Sequence, residues 1–227
     1  MRKKSQTVGK KNKAPSGNAE HWENAYGLPL SEIPWEIEQP PAELVRLVES
    51  GRLQPGKALD VACGSGNYSA YLAQNGFDVT AVDFSKKALA LAKKKVKAAG
   101  LEQRVHLVHA DVRHLGQVLF GTRFDFILDW SLLHHIAPAD FEAYAGQFRD
   151  LLAPGGVLLL ACFLDKDAPK PGVTHAVGTM GNVMHYRTRE EIEAAYSALK
   201  VLEYRTCRLG KRRQHAGHCF WFGRKRN

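Results

Sequence analysis

Residues able to do chemistry gather in three short runs: Asp60, Gly64 and Gly66 in "ALDVACGSGNYS", Asp83 in "AVDFS", and Asp111 in "HADVRH". Glycines at that spacing let a backbone turn come close to a ligand, and a helix starting behind the turn aims free N–H groups at it. Such turns serve nucleoside triphosphates, dinucleotides or a sulfonium nucleoside, so the neighbouring side chains must discriminate. A triphosphate loop requires Lys and then Ser or Thr, and the residues after Gly66 are Asn67 and Tyr68. A dinucleotide fingerprint is met only in part, with Ser69 in the third glycine's place. Asp60 would repel a pyrophosphate and attract a cation. Asp83, 17 residues after Gly66, is spaced to accept from both hydroxyls of a ribose. Asp111 could accept from an adenine amino group, with the Val112 N–H donating to the ring. These three acids favour S-adenosylmethionine, which is cationic and carries no phosphate, over NAD.

The elements that must position these residues are readable from period and punctuation. "KALDVA", "DVTAVD", "RVHLVHA", "FDFILDW" and "GVLLLACF" are strand-like apolar runs. Between them, helices are expected at "NYSAYLAQNG", ended by Gly76, at "SKKALALAKKKVKAAG", with Leu89, Ala92 and Val96 on one face, and from about Pro138 to Leu152 with Phe141, Tyr144, Phe148 and Leu151 inward. Short strands apolar almost throughout, alternating with helices, predict a doubly wound α/β fold with a mostly parallel sheet covered on both faces. Upstream, "AELVRLVES" predicts a helix that turns Leu44, Leu47 and Val48 inward, and "HWENAYGLPLSEIPWEIEQPP" an irregular segment lying on the domain. Downstream, a loop of about twenty residues from Asp165 leads to a short helix with a Thr188/Glu191 capping box. "VLEYRTCR" and "HCFWFGR" then pair antiparallel as an edge hairpin, since no crossover helix separates them.

Bulk composition narrows the classes. The chain has 227 residues, 44% hydrophobic and 24% charged. No apolar run approaches a membrane span, and no secretory signal follows the basic start, so a cytoplasmic location is expected. The formal charge of +9 comes from the ends: residues 1–13 and 211–227 each hold six Lys or Arg and no acid. Residues 1–20 are expected to be a disordered basic tail, and 21–227 one domain. Basic ends leave nucleic acid open as a partner without favouring it over a solvated tail. Cys63, Cys162, Cys207 and Cys219 lack metal-site spacing and read as reduced thiols, and no metal is expected. His106 and His109, three apart on a strand, face opposite ways. His215 and His218, with Arg212 and Arg213, read as a solvated hairpin tip.

The run "LDVACGSGNYSAYLAQNGFDVTAVDFS", then "HADV", "FDFILDWSLLHHI" and "LLAPGGVLLL", resembles the class I S-adenosylmethionine-dependent methyltransferases over about residues 40–227. The resemblance implies a Rossmann-like methyltransferase fold, with a seven-stranded sheet in order 3-2-1-4-5-7-6 and strand 7 antiparallel. It also implies cofactor contacts from Asp60, Ala62, Cys63, Gly64, Gly66 and Asn67 in the turn, from Asp83, Phe84 and Ser85 after the second strand, and from Asp111 and Val112 after the third. Asp129 and Trp130 follow the fourth strand, where Asp129 could hold the cofactor's ammonium or cap the next turn. Ala62 stands where many members carry glycine, and is expected to fit by keeping a negative φ. Trp22, Tyr26, Pro34 and Trp35 are similar to the amino-terminal lid (here residues 21–40) of the thiol, halide, thiopurine and tellurite methyltransferase group. Rings there could exclude water and attract a sulfonium. The methyl acceptor is then expected among Tyr26, Trp35, Trp130, His134 and His135, with His134 the candidate base. A small molecule with a soft thiol, selenide or halide nucleophile is the expected acceptor. The alternatives are N- or O-methylation of a metabolite, or of RNA.

Overall fold

A computed structural model describes residues 19–168, 172–178, 180–211 and 215–224; the basic amino-terminal tail, Arg212 and Arg213 lie outside them. Five parallel strands are built as the apolar runs predict: β1 (Lys57–Val61), β2 (Asp78–Asp83), β3 (Val105–His109), β4 (Phe124–Trp130) and β5 (Leu152–Phe163). The last begins earlier than expected. Phe124 pairs with Leu152 and Phe126 with Val157, so "APGG" is an irregularity within the strand. A ribbon of β6 (His175–Val177) and β7 (Val183–His185) occupies the stretch expected to be loop. Three-residue strands are too short to show a two-residue period. β8 (Lys200–Leu209) and β9 (His215–Gly223) form the hairpin. The main sheet runs β3-β2-β1-β4-β5-β9-β8, with β9 antiparallel to both neighbours. This is the expected order, the ribbon having taken numbers 6 and 7.

Alternation along the central strands feeds two cores. Leu59, Ile127, Leu158 and Leu160 point to one face with Phe220 and Phe222, under α6 (Phe141–Leu151) and α7 (Arg189–Ala195). Ala58, Phe126, Leu128 and Leu159 point to the other, under α2 (Ala42–Glu49), α3 (Asn67–Gln74) and α4 (Lys86–Ala98). Burying such side chains is worth about 1.5–3 kcal/mol each, so sheet and helices order together. The four-residue helix α5 (Leu115–Val118) contributes Leu115 to the first core. On α4 the buried stripe is Ala88, Ala92 and Val96, while Leu89 is only half-buried. The small residues let two things approach: a Cβ built on Gly66 would stand 2.9 Å from the Ala92 Cβ, and Tyr26 and Ile33 pack on Ala88.

The segment expected to be irregular starts as a helix, α1 (Ala19–Ala25), followed by a single 3-10 turn at Leu30–Glu32. The helix therefore includes Ala19 and Glu20 from the expected tail. "AEHWENA" contains no proline and several good helix formers, and Glu23 gives it an anchor, accepting from Ser85 Oγ at 2.7 Å and the Lys87 N–H at 3.2 Å. The Thr188/Glu191 capping box is formed in both directions. Cys162, Cys207 and Cys219 are buried free thiols, and Cys63 is a half-buried one.

Candidate active site

The turn after β1 passes through three residues with positive φ: Ala62 at 57°, Gly64 at 56° and Gly66 at 79°. The expectation that Ala62 keeps a negative φ is overturned. The Cys63 N–H is docked on the Val82 carbonyl of β2 at 2.9 Å, which swings the chain over the neighbouring strand end and leaves Ala62 to absorb the bend. A left-handed L-residue costs about 1–2 kcal/mol, so the turn holds stored strain. Asp83 braces it, accepting from the Gly64 N–H at 2.9 Å and the Ser85 N–H at 2.8 Å. Burial shifts the Asp83 carboxyl upward, against these bonds. The Tyr26 hydroxyl occupies the space a Cβ on Gly64 would need. Asp60, 3% exposed, accepts from Ser69 Oγ at 2.5 Å, and burial pushes its pKa up to about 6.

Asp111 caps the turn Val112–His114 through the Arg113 N–H at 2.9 Å. The same carboxylate takes the Arg113 guanidinium at 2.6 Å. An adenine amino group would share it with that cation. Asp129 is fully buried and accepts from the Tyr144 hydroxyl of α6 at 2.8 Å; burial lifts its pKa to about 7.

The amino-terminal segment crosses the turn. Trp35 Nε1 donates to the Tyr26 hydroxyl at 3.1 Å, and the Trp22 ring meets Trp35 at 4.8 Å and His135 at 4.6 Å, edge to face. Glu36, 6% exposed, accepts from Ser65 Oγ and from Asn67 Nδ2 at 2.7 Å, while Lys95 donates to Ser65 and Asn67. At the far side, Lys211 Nζ donates to the carbonyls of Leu30 and Ser31 at 3.2 and 2.9 Å.

These elements enclose a cavity of about 870 Å³. Tyr26, Trp35, Asp60, Ala62, Cys63, Gly64, Asn67, Asp83, Phe84, Asp111, Val112, Trp130, His134 and His135 line it. Gly66, Ser85 and Asp129 do not: Gly66 faces α4, Ser85 caps α4 through the Ala88 N–H, and Asp129 faces Tyr144. A cation in the cavity would therefore find Asp60, not Asp129, at its wall. The cradle fits an adenosyl sulfonium group by its acceptors: a buried carboxylate at Asp60 and a second at Asp83 beside the turn, both at the cavity wall.

Sequence reasoning missed the opposite wall. Phe163, the ribbon residues Ala176 and Met184, Tyr186 and His215 all line the cavity, as does Glu36. Short strands and a β5 end far along the chain gave no local signal for them. The reading of His215 and His218 as a solvated tip is corrected. His215 opens β9 at the cavity, and His218 is 1% exposed within the sheet, with Nε2 3.0 Å from the Arg187 carbonyl. A histidine inside a strand is buried by its neighbours whatever turn precedes it. His106 and His109 do part, toward Asp78 and the Phe84 carbonyl.

Residues 58–156 match a family model described as a methyltransferase domain. A 2-heptyl-1-hydroxyquinolin-4(1H)-one methyltransferase from Mycobacteroides abscessus is 31% identical over 62% of this chain and 60% of its own length. A probable thiol methyltransferase 2 from Arabidopsis thaliana is 27% identical over 63% of this chain and 61% of its own. The chain thus spans less than two thirds of these relatives. The crystal structure of the N-methyltransferase NodS from Bradyrhizobium japonicum, in complex with S-adenosyl-L-homocysteine, is similar with a TM-score of 0.69 at 19% identity, over 91% of this chain and 97% of that one. Residues 58–156 are thus similar to a methyltransferase domain, and the chain shares the fold of the NodS structure, with its seven-stranded sheet in the order described above.

Proposed function

We propose that this chain transfers a methyl group from S-adenosyl-L-methionine to a small molecule through a soft thiol, selenide or halide nucleophile. The carrying observation is the pairing of buried Asp60 and Asp83 around a glycine turn that lacks the lysine of a phosphate loop, with a cavity that continues past it to two histidines. When bound, the cofactor supplies a methyl group already activated on sulfur, so the chain's residues mainly align and desolvate. Asp60 attracts the positive charge, Asp83 holds hydroxyls, and Trp22 and Trp35 exclude water. Soft nucleophiles need little base assistance, which suits His134 and His135: burial holds the first well below its ordinary pKa and the second at about 4. The thiol methyltransferase relative supports this reading. A second reading, transfer to a ring hydroxyl or nitrogen, takes His134 as proton acceptor, since its ring lines the cavity.

An acceptor screen coupled to adenosylhomocysteine release tests the function. Thiols, selenides and iodide should give volatile methylated products in the headspace; their absence beside turnover of hydroxylated rings would move the assignment to the second reading. Adenosylhomocysteine should raise the melting temperature and NAD should not. Removing residues 1–13 should leave small-molecule turnover unchanged; a large, salt-sensitive loss would point to RNA instead.

A further inference from the structure

Past the glycine turn, the cavity is bounded by rings drawn from separate parts of the chain. His134, in the turn after β4, lies flat on Phe163 at the end of β5, with centroids 3.9 Å apart and planes 10° from parallel. Tyr186, just after β7, is within 21° of parallel to Phe163 at 6.3 Å, and His215 of β9 meets Phe163 at 4.8 Å. From the lid side, Trp22 stands against His135. All six line the cavity. Aliphatic side chains would keep such a wall dry equally well. Near-parallel rings add flat faces and polarised edges, which favour offset or edge-on contact with another ring.

Two polar observations point to a ligand in this space. His134 is 3% exposed, and its Nδ1 is buried without a hydrogen-bond partner among the described residues. A buried polar atom left unsatisfied is costly, and a turn of the ring toward a bound polar group would satisfy it. His135 Nδ1 lies 3.0 Å from the Val183 carbonyl. A carbonyl only accepts, so Nδ1 carries the hydrogen and Nε2 keeps its lone pair, set by the ribbon that forms the wall.

We propose that the methyl acceptor is a planar aromatic or heteroaromatic ring held between Trp22 and the His134–Phe163–Tyr186 wall, its polar group hydrogen-bonded to the histidines, and that Phe163 determines this preference. The proposal rests on the methyl-transfer reading and specifies the shape of the acceptor, favouring a ring-borne nucleophile over a halide ion, which carries no ring.

The test compares two methylated products of similar size, one flat and one puckered: methyl phenyl sulfide and cyclohexyl methyl sulfide. Each is titrated into the full chain saturated with adenosylhomocysteine, with binding read by calorimetry, so turnover is not needed. Methyl phenyl sulfide should bind about tenfold more tightly, as expected for contacts with two rings. Phe163→Leu should bring the two within about twofold while leaving adenosylhomocysteine affinity unchanged. If that variant does not fold, Tyr186→Leu should narrow the ratio in the same direction. Equal affinities in the unmodified chain, no binding of methyl phenyl sulfide at millimolar concentration, or a preference untouched by the variant that folds would overturn the proposal. Failure of adenosylhomocysteine itself to bind would remove the methyl-transfer reading, and the acceptor assignment with it.

Discussion

One end of the cavity is made of backbone and carboxylates from β1, β2 and β3, which lie close in sequence and brace each other; the other is made of rings from β4, β5, the ribbon and the hairpin. At the first end position is fixed by torsion angles: Gly64 has no side chain because Tyr26 fills its place, and Asp83 holds the turn by the Gly64 N–H. At the second it is fixed by packing: Phe163 has its place because His134, Tyr186 and His215 surround it. A substitution at the first end should therefore act on cofactor affinity nearly all or none. At the second it should grade the choice of acceptor.

The largest expected effect tests the torsion claim. Gly64→Val places a branched side chain at positive φ, at about 1–2 kcal/mol for the backbone alone, and must also displace the Tyr26 hydroxyl. Adenosylhomocysteine affinity should fall more than about a hundredfold in titration calorimetry; an unchanged constant would break the contrast. Asp83→Ala comes next. It removes a charged acceptor of two backbone N–H groups, and should cost roughly 1–3 kcal/mol of cofactor affinity, with a lower melting temperature. Cofactor affinity should also depend on pH through Asp60. Its pKa is raised to about 6, so the carboxyl is neutral below that pH and charged above it. Adenosylmethionine, a cation, should bind more tightly as pH rises from 5 to 7, and Asp60→Asn should flatten that rise. The smallest effect lies outside both ends: Thr188→Ala opens the capping box of α7 and should cost about 1 kcal/mol in denaturant unfolding, with cofactor affinity unchanged.

The same division explains what could be read from residues alone. The glycine turn, Asp60 and Asp83 at their strand ends and the capping box depend on neighbours a few positions away, so spacing carried them, whereas the strand order came only with the family resemblance. Ala62 misled because its φ answers to a hydrogen bond from Cys63 to the next strand, which residue type does not reveal. Asp129 has the right strand end and yet turns toward Tyr144. Phe163, Tyr186 and His215 share one wall only after the sheet has closed. The ribbon was missed since neither strand is long enough to show alternation. Glu36 stands among prolines and other acids with no local pattern to mark it, whereas its carboxylate is buried against Ser65 and Asn67.

The antiparallel strand β9 has a consequence for how the chain is made. It lies between β5 and β8, so the open edge of β5 stays uncovered until residues synthesised more than fifty positions later, from Phe163 to His215, have emerged. During that interval an apolar strand edge, "GVLLLACF", is bare to other nascent chains. Pairing with β9, rather than collapse of the first five strands, is the step that covers this edge, and slowing translation between β5 and β9 would lengthen its exposure.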